Sequence, residues 1–192
     1  MILSDRDIRE ALDRKRLGVD PLEDHQIQPA SIDLTLAWPP KILEQTRSVH
    51  DILAGHGRRI LDPENPTNLE WVSACSASQR RWILSPGTLV LASTEQTIKI
   101  ANGLGAHING LSSLGRLGLH IHASCSWFDP GFEGTAVLEI LQTGQNPIYL
   151  HRGMRIAQLI VHQTTSESLR PYGHHELRNK YWGQNGTTPA RG

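Results

Sequence analysis

From residue 82 onward the chain is written in short apolar segments separated by glycine and proline turns, and this restricts the fold more than any other feature. "WILSPGTLVLASTEQTIKI" sets two apolar stretches around Pro86-Gly87, and "NPIYLHRGMRIAQLIVHQ" reads as a hairpin turning near Arg152-Gly153. Many short strands closed by such turns predict a β barrel or jelly-roll sandwich. An earlier strand fits the same picture: "ASIDLTLA" alternates Ile32, Leu34 and Leu36 with Ser31, Asp33 and Thr35, so one face is expected to be buried. Upstream, Ser4 followed by Asp7 resembles a capping box, with Asp where Glu or Gln is usual. Ile8, Ala11 and Leu12 follow at helical spacing, which predicts a short amphipathic helix over 5–16. Residues 37–80, with "WPPK", "AGHGRR" and "DPENPTN", are turn-rich, and the apolar pieces between them fit edge strands or loop.

A chain of 192 residues fits one domain, here 1–192, with a core of useful size. Lys plus Arg and Asp plus Glu both number 19, so no net field recruits nucleic acid or an anionic membrane. No apolar run reaches the roughly 18 residues of a membrane span. The opening "MILSDRDIREALDRKRLG" is charged from its fourth residue, unlike a secretory signal. Cys75 and Cys125 make no disulfide framework, and a cytoplasmic setting is expected.

Within "TAVLEIL" an acidic residue, Glu139, interrupts an apolar strand. Its face carries Thr135, Val137 and Leu141, and the other carries Ala136, Leu138 and Ile140. Both faces look buried, and a buried carboxylate without a partner costs several kcal/mol. One outcome is a structural pair, most simply with Arg116; the other is a carboxyl that exchanges protons, since burial favours the neutral form. Just upstream, "GLSSLGRLG" is expected to end a strand and start a short helix with Ser112 as N-cap. Backbone N–H groups and hydroxyls there suit phosphate oxygens, although an ordinary cap explains them equally. Arg116 would meet phosphate or hold the carboxylate.

The stretch "SSLGRLGLHIHASCSWFDPGFEGTAVLE", with "QPASIDLTL", "HRGMRIAQL" and "KYWGQNGTTPAR", resembles the deoxycytidine triphosphate deaminases of the trimeric dUTPase superfamily. The resemblance runs nearly end to end and is weakest over 37–80. It implies a distorted β barrel assembled as a homotrimer, with dCTP or dUTP bound where subunits meet. It also implies roles. Glu139 would activate a water against C4 of cytosine, with Ser112 and Arg116 holding that water and Ser113 near the phosphates. Backbone groups of Ala123 and Cys125 would read the pyrimidine, and Asp129 would sit by the deoxyribose 3′-hydroxyl. Residues 173–192 would be a flexible tail closing over the triphosphate, through Lys180 and Gln184 with Tyr172 just before it. Magnesium (Mg2+) would travel with the phosphates.

A zinc deaminase would need H-x-E followed by P-C-x-x-C; "HHE" at 174–176 matches the first half, but the chain has no Cys pair. No zinc is expected, and His120 and His122 are expected to be packed or surface residues. Two departures from the family pattern stand out. Leu111 occupies the place of an arginine in the family's "GRSSL", which removes a phosphate contact worth about 1.5–3 kcal/mol. "SCSW" at 124–127 stands where "TAGW" or "TAGF" marks enzymes that continue to dUMP and "TAHR" marks those that stop at dUTP, and Trp127 leans toward the former. The sequence thus leaves three readings: dCTP deamination ending at dUTP or dUMP, dUTP diphosphatase activity alone, and a binding paralogue without turnover.

Overall fold

The computed structural model describes residues 1–43, 71–122 and 124–190. Helix α1 (Asp5–Asp13) opens on the expected box: the Ser4 hydroxyl accepts from the Asp7 N–H, and the Asp7 carboxylate accepts from the Ser4 N–H. It buries Ile8 and Ala11. The helix stops three residues before the expected end, because Lys15 adopts a left-handed conformation at φ 56° and turns the chain into β1 (Leu17–Asp20).

Two sheets carry the fold. The first runs β5 (Trp71–Ser73), β4 (Lys41–Leu43), β7 (Leu89–Ile100), β11 (Glu133–Gln142), β9 (Leu119–Ile121), with β1 also paired to β7. The second runs β10 (Trp127–Phe128), β8 (Leu104–Gly110), β13 (Arg155–Gln163), β3 (Ser31–Thr35), β2 (Ile27–Gln28). A ribbon of β6 (Arg81–Leu84) and β12 (Ile148–His151) completes the described strands, and a short helix, α2 (Ser112–Gly115), links β8 to β9. Inward residues of both sheets, among them Leu34, Ile98, Ile108, Leu138, Ile140 and Val161, form one core. Each fully buried Leu or Ile there contributes about 1.5–3 kcal/mol. The fold is mainly β with one short N-terminal helix, as the turn pattern implies; among the described residues the strands form two packed sheets without closing into a barrel.

Two local expectations change, and a third is met where the chain is described. The turn at 152–153 is present, but β12 pairs with β6 while β13 joins β8 and β3, so the flanking strands are not a hairpin. Strand β3 is buried on both faces: Asp33 is 4% exposed, and its carboxylate is satisfied by Arg155 Nη1 at 2.9 Å and Gln158 Nε2 at 3.4 Å. Within 37–80, β4 and β5 pair with each other as short strands, while "AGHGRR" and "DPENPTN" lie outside the described residues.

Candidate active site

Strand β11 supplies the central carboxylate. Along β11 Val137, Glu139 and Leu141 are half-buried, while Ala136, Leu138 and Ile140 are fully buried. Glu139 therefore stands not between two closed faces but on the wall of a cleft of about 490 Å³. Its Oε2 accepts a hydrogen bond from Ser124 Oγ at 2.7 Å. Among the described residues the ion pairs do not include one between Glu139 and Arg116, so the structural-pair alternative does not hold within one chain.

The cleft also takes in Cys125, Asp129, Tyr172 and Gln184. Asp129 Oδ1 accepts from Trp127 Nε1 at 3.0 Å. The Tyr172 hydroxyl accepts from the Tyr181 N–H at 3.2 Å, and burial holds it above its ordinary pKa against the lowering effect of that bond. It therefore stays neutral and keeps a proton to donate. Gln184 is anchored by Nε2 to the Thr135 carbonyl at 2.8 Å. Its backbone bridges Gly134, with the Thr135 N–H donating to Gln184 O at 3.0 Å. The end of the chain thus lies along β11 and walls the cleft, with Lys41 Nζ donating to the Thr187 carbonyl at 2.9 Å.

Other expected residues sit elsewhere. Leu111, not Ser112, is the N-cap of α2, and no side-chain cap bond is made; Ser112 is the first helical residue. Ser112, Ser113 and Arg116 are exposed and do not line this cleft. Lys180 is exposed and also outside the lining, and Ala123 lies outside the described residues. Leu111 is 8% exposed, so the position where the family pattern has arginine contributes packing.

Sequence reasoning missed Ser124, His122 and Trp71. Three buried polar atoms of cleft residues have no hydrogen-bond partner among the described residues: Trp71 Nε1, His122 Nδ1 and Gln184 Oε1. Each such atom costs about 1–3 kcal/mol unless a ligand or water completes it. His122 also holds φ 57°, unusual outside glycine, while its N–H donates to the Glu139 carbonyl at 2.7 Å. The signal for His122 was its place in "HIHASCSW", but a positive φ is not visible in a residue name. Around these polar groups the walls are apolar, including Leu89, Leu91, Phe128, Phe132 and Val137. Such a surface suits a flat, partly polar ring.

The family model for dCTP deaminase-like proteins matches residues 2–164. The chain belongs to that family. The dUMP-forming dCTP deaminase of Mycobacterium sp. (strain KMS) is 40% identical over 192 residues, covering 100% of this chain and 95% of its own. That of Methanosphaera stadtmanae is 37% identical over 188 residues, covering 96% and 90%. The 2′-deoxycytidine 5′-triphosphate deaminase structure from Agrobacterium tumefaciens superposes with a TM-score of 0.60 at 22% identity, over 85% of this chain and 48% of that one. This last likeness concerns the fold. Among the described residues, no helix is long and apolar enough to cross a membrane.

Proposed function

We propose that this chain deaminates dCTP hydrolytically and carries the product on to dUMP and pyrophosphate. The observation that carries the reading is Glu139, a carboxylate tied to Ser124 on the wall of a largely apolar cleft of about 490 Å³. Full-length similarity to dUMP-forming relatives supports the same end product.

In the first step water adds to C4 of cytosine while its proton passes to Glu139. The carboxyl gives that proton to N3, then takes the proton of the new C4 hydroxyl and passes it to the 4-amino nitrogen; the C4–N bond breaks, the C4 carbonyl forms and ammonia leaves. Proton transfer of this kind contributes about 10²–10⁴-fold. In the second step water attacks the α-phosphorus of dUTP, oriented by Asp129 or Glu139, and pyrophosphate departs. Cys125 and Asp129 both line the cleft; on this reading Cys125 reads the base and Asp129 meets the sugar.

The lining carries Asp129 and Glu139 but neither lysine nor arginine among the described residues, so a triphosphate needs cations from elsewhere. In a homotrimer, α2 of a neighbouring copy would bring Ser112, Ser113 and Arg116 to the open side of the cleft. Tyr172, Lys180 and Gln184 would close on the nucleotide from the other side. Magnesium would arrive on the phosphates rather than in a cage of protein ligands. When bound it neutralises phosphate charge.

Incubation with dCTP and magnesium, resolving ammonia, nucleotides and pyrophosphate together, tests the reading. Equal ammonia and pyrophosphate are expected. Ammonia without pyrophosphate would place the end point at dUTP, and absence of both would overturn the assignment.

A further inference from the structure

On strand β8, Leu104, Ala106 and Ile108 enter the core, while Gly105 and His107 take the opposite face. The register sets His107 beside Trp127 of β10 on one side, and Gly105 beside His162 of β13 on the other. His107 Nδ1 and His162 Nε2 are 2.7 Å apart, and their ring centres are 4.8 Å apart. The indole of Trp127 lies against Gly105, where an added Cβ would come within 2.5 Å of Cζ2, and its ring centre is 5.7 Å from that of His162. Trp127 then donates to Asp129, and both line the cleft. A continuous set of contacts therefore joins a histidine pair on the second sheet to the proposed nucleotide site.

We infer that His107 and His162 are positioning residues for that site: their hydrogen bond holds the floor under Trp127, and double protonation of the pair releases the indole and, with it, Asp129. Proton counting explains why. Two ring nitrogens at this distance share a single proton. The neutral pair has one there, and a further proton on an outward nitrogen leaves it undisturbed. A second further proton makes both facing nitrogens donors and both rings cationic, so attraction becomes repulsion. Burial, His107 and the Met1 ammonium all lower the affinity of His162 for protons, which confines the break to acidic pH. The groups facing the pair are the Met1 ammonium, whose segment bridges His162 through Ile2, and Asp129 beyond the indole.

The inference rests on the nucleotide reading of the cleft, and its test separates the two. The full chain, labelled with ¹⁵N, is titrated from about pH 8 to about pH 5, the window in which histidine changes charge. The Trp127 Nε1–H signal, assigned by its loss in Trp127→Phe, is expected to move with the same midpoint as the His162 ring nitrogens. In parallel, KM for dCTP is expected to rise by up to about tenfold per pH unit below that midpoint, the limit for one linked proton, with kcat flat through this limb. The double variant His107→Asn, His162→Gln places amide groups near Nδ1 and Nε2 but takes up no proton, so it should lose both pH responses whatever its affinity at neutral pH. His162→Phe keeps ring packing without the bond and should show the released indole signal at every pH. An indole signal that ignores the imidazoles, or an acid limb that persists in the double variant, would overturn the inference. If dCTP is not turned over at all while the indole still follows the imidazoles, the substrate reading fails and the coupling stands.

Discussion

Ser124 Oγ donates to Glu139 Oε2 across 2.7 Å, joining the segment after β9 to the middle of β11. The bond fixes one carboxylate oxygen, and on the proposed mechanism the other serves the reacting water. Ser124 is exposed, so its contribution falls at the lower end of the 1.5–3 kcal/mol typical for bonds to charged groups. Ser124→Ala is therefore expected to lower kcat for ammonia release by about tenfold with KM little changed. Steady-state assays check this, and an unchanged kcat would mean that the bond does not orient the carboxylate.

Glu139→Gln keeps an oxygen for Ser124 and nearly the same volume, but it has no proton to exchange. Deamination should fall by about 10²–10⁴-fold while calorimetry still detects nucleotide binding. Wild-type ammonia release from this variant would remove Glu139 from the mechanism.

The clearest sequence signals were violations of a period. Glu139 was visible because a charge in an apolar strand demands an explanation, and the capping box at Ser4 was visible because it needs only local spacing. Strand partners were not legible in the same way. β12 and β13 follow one another closely, yet they serve different sheets, which only tertiary packing decides. Asp33 broke the expected one-sided burial of β3 because Arg155, 122 residues away, neutralises it. The half-burial of the face that carries Val137, Glu139 and Leu141 was not legible either, because apolar residues on both faces of β11 suggested that both were closed. The tail carries neither helical nor strand period, and its seat comes from backbone bonds to Thr135 and Glu133 and from the Gln184 amide, none of which a periodic pattern announces.

That seat depends on Gly134, which holds φ 148° and where a Cβ would come within 2.7 Å of the Gln184 carbonyl oxygen. Strain of this kind costs about 1–3 kcal/mol. Gly134→Ala should loosen the tail, so limited proteolysis after residue 173 should accelerate and nucleotide binding should weaken. Truncation before Lys180 should also weaken binding while leaving the proposed trimer intact by light scattering. Dissociation on truncation would assign the tail to assembly instead.

His162 makes stability depend on pH with a definite sign. Burial first, then His107 and the Met1 ammonium, hold its pKa below the ordinary value. The unfolded chain therefore takes up the proton at higher pH than the folded chain does. Stability from this group is complete above the ordinary histidine value and is lost as pH falls from there through the lowered folded value. His162→Gln should flatten the fall in Tm across that window, as thermal melts can record. A fall as steep as that of the wild type would place the titrating group elsewhere.

Gly105→Ala probes the indole without touching a titratable group. A Cβ there would approach Trp127 Cζ2 to 2.5 Å and Cη2 to 2.6 Å, and the next neighbour, the Phe128 carbonyl oxygen, lies at 3.5 Å. The clash is thus with one side chain that is 44% exposed and has room to swing outward, so the sheet should survive. Overpacking of this sort costs about 1–3 kcal/mol, and its main expression should be a displaced indole that no longer reaches Asp129. KM for nucleotide should rise by about tenfold, the equivalent of 1.4 kcal/mol. Adding Trp127→Phe removes the larger ring that meets the new methyl group, so the double variant should recover the Tm lost by Gly105→Ala while KM stays high, because phenylalanine cannot donate to Asp129. Recovery of KM along with Tm would show that the ring's bulk, not its N–H, matters to the cleft.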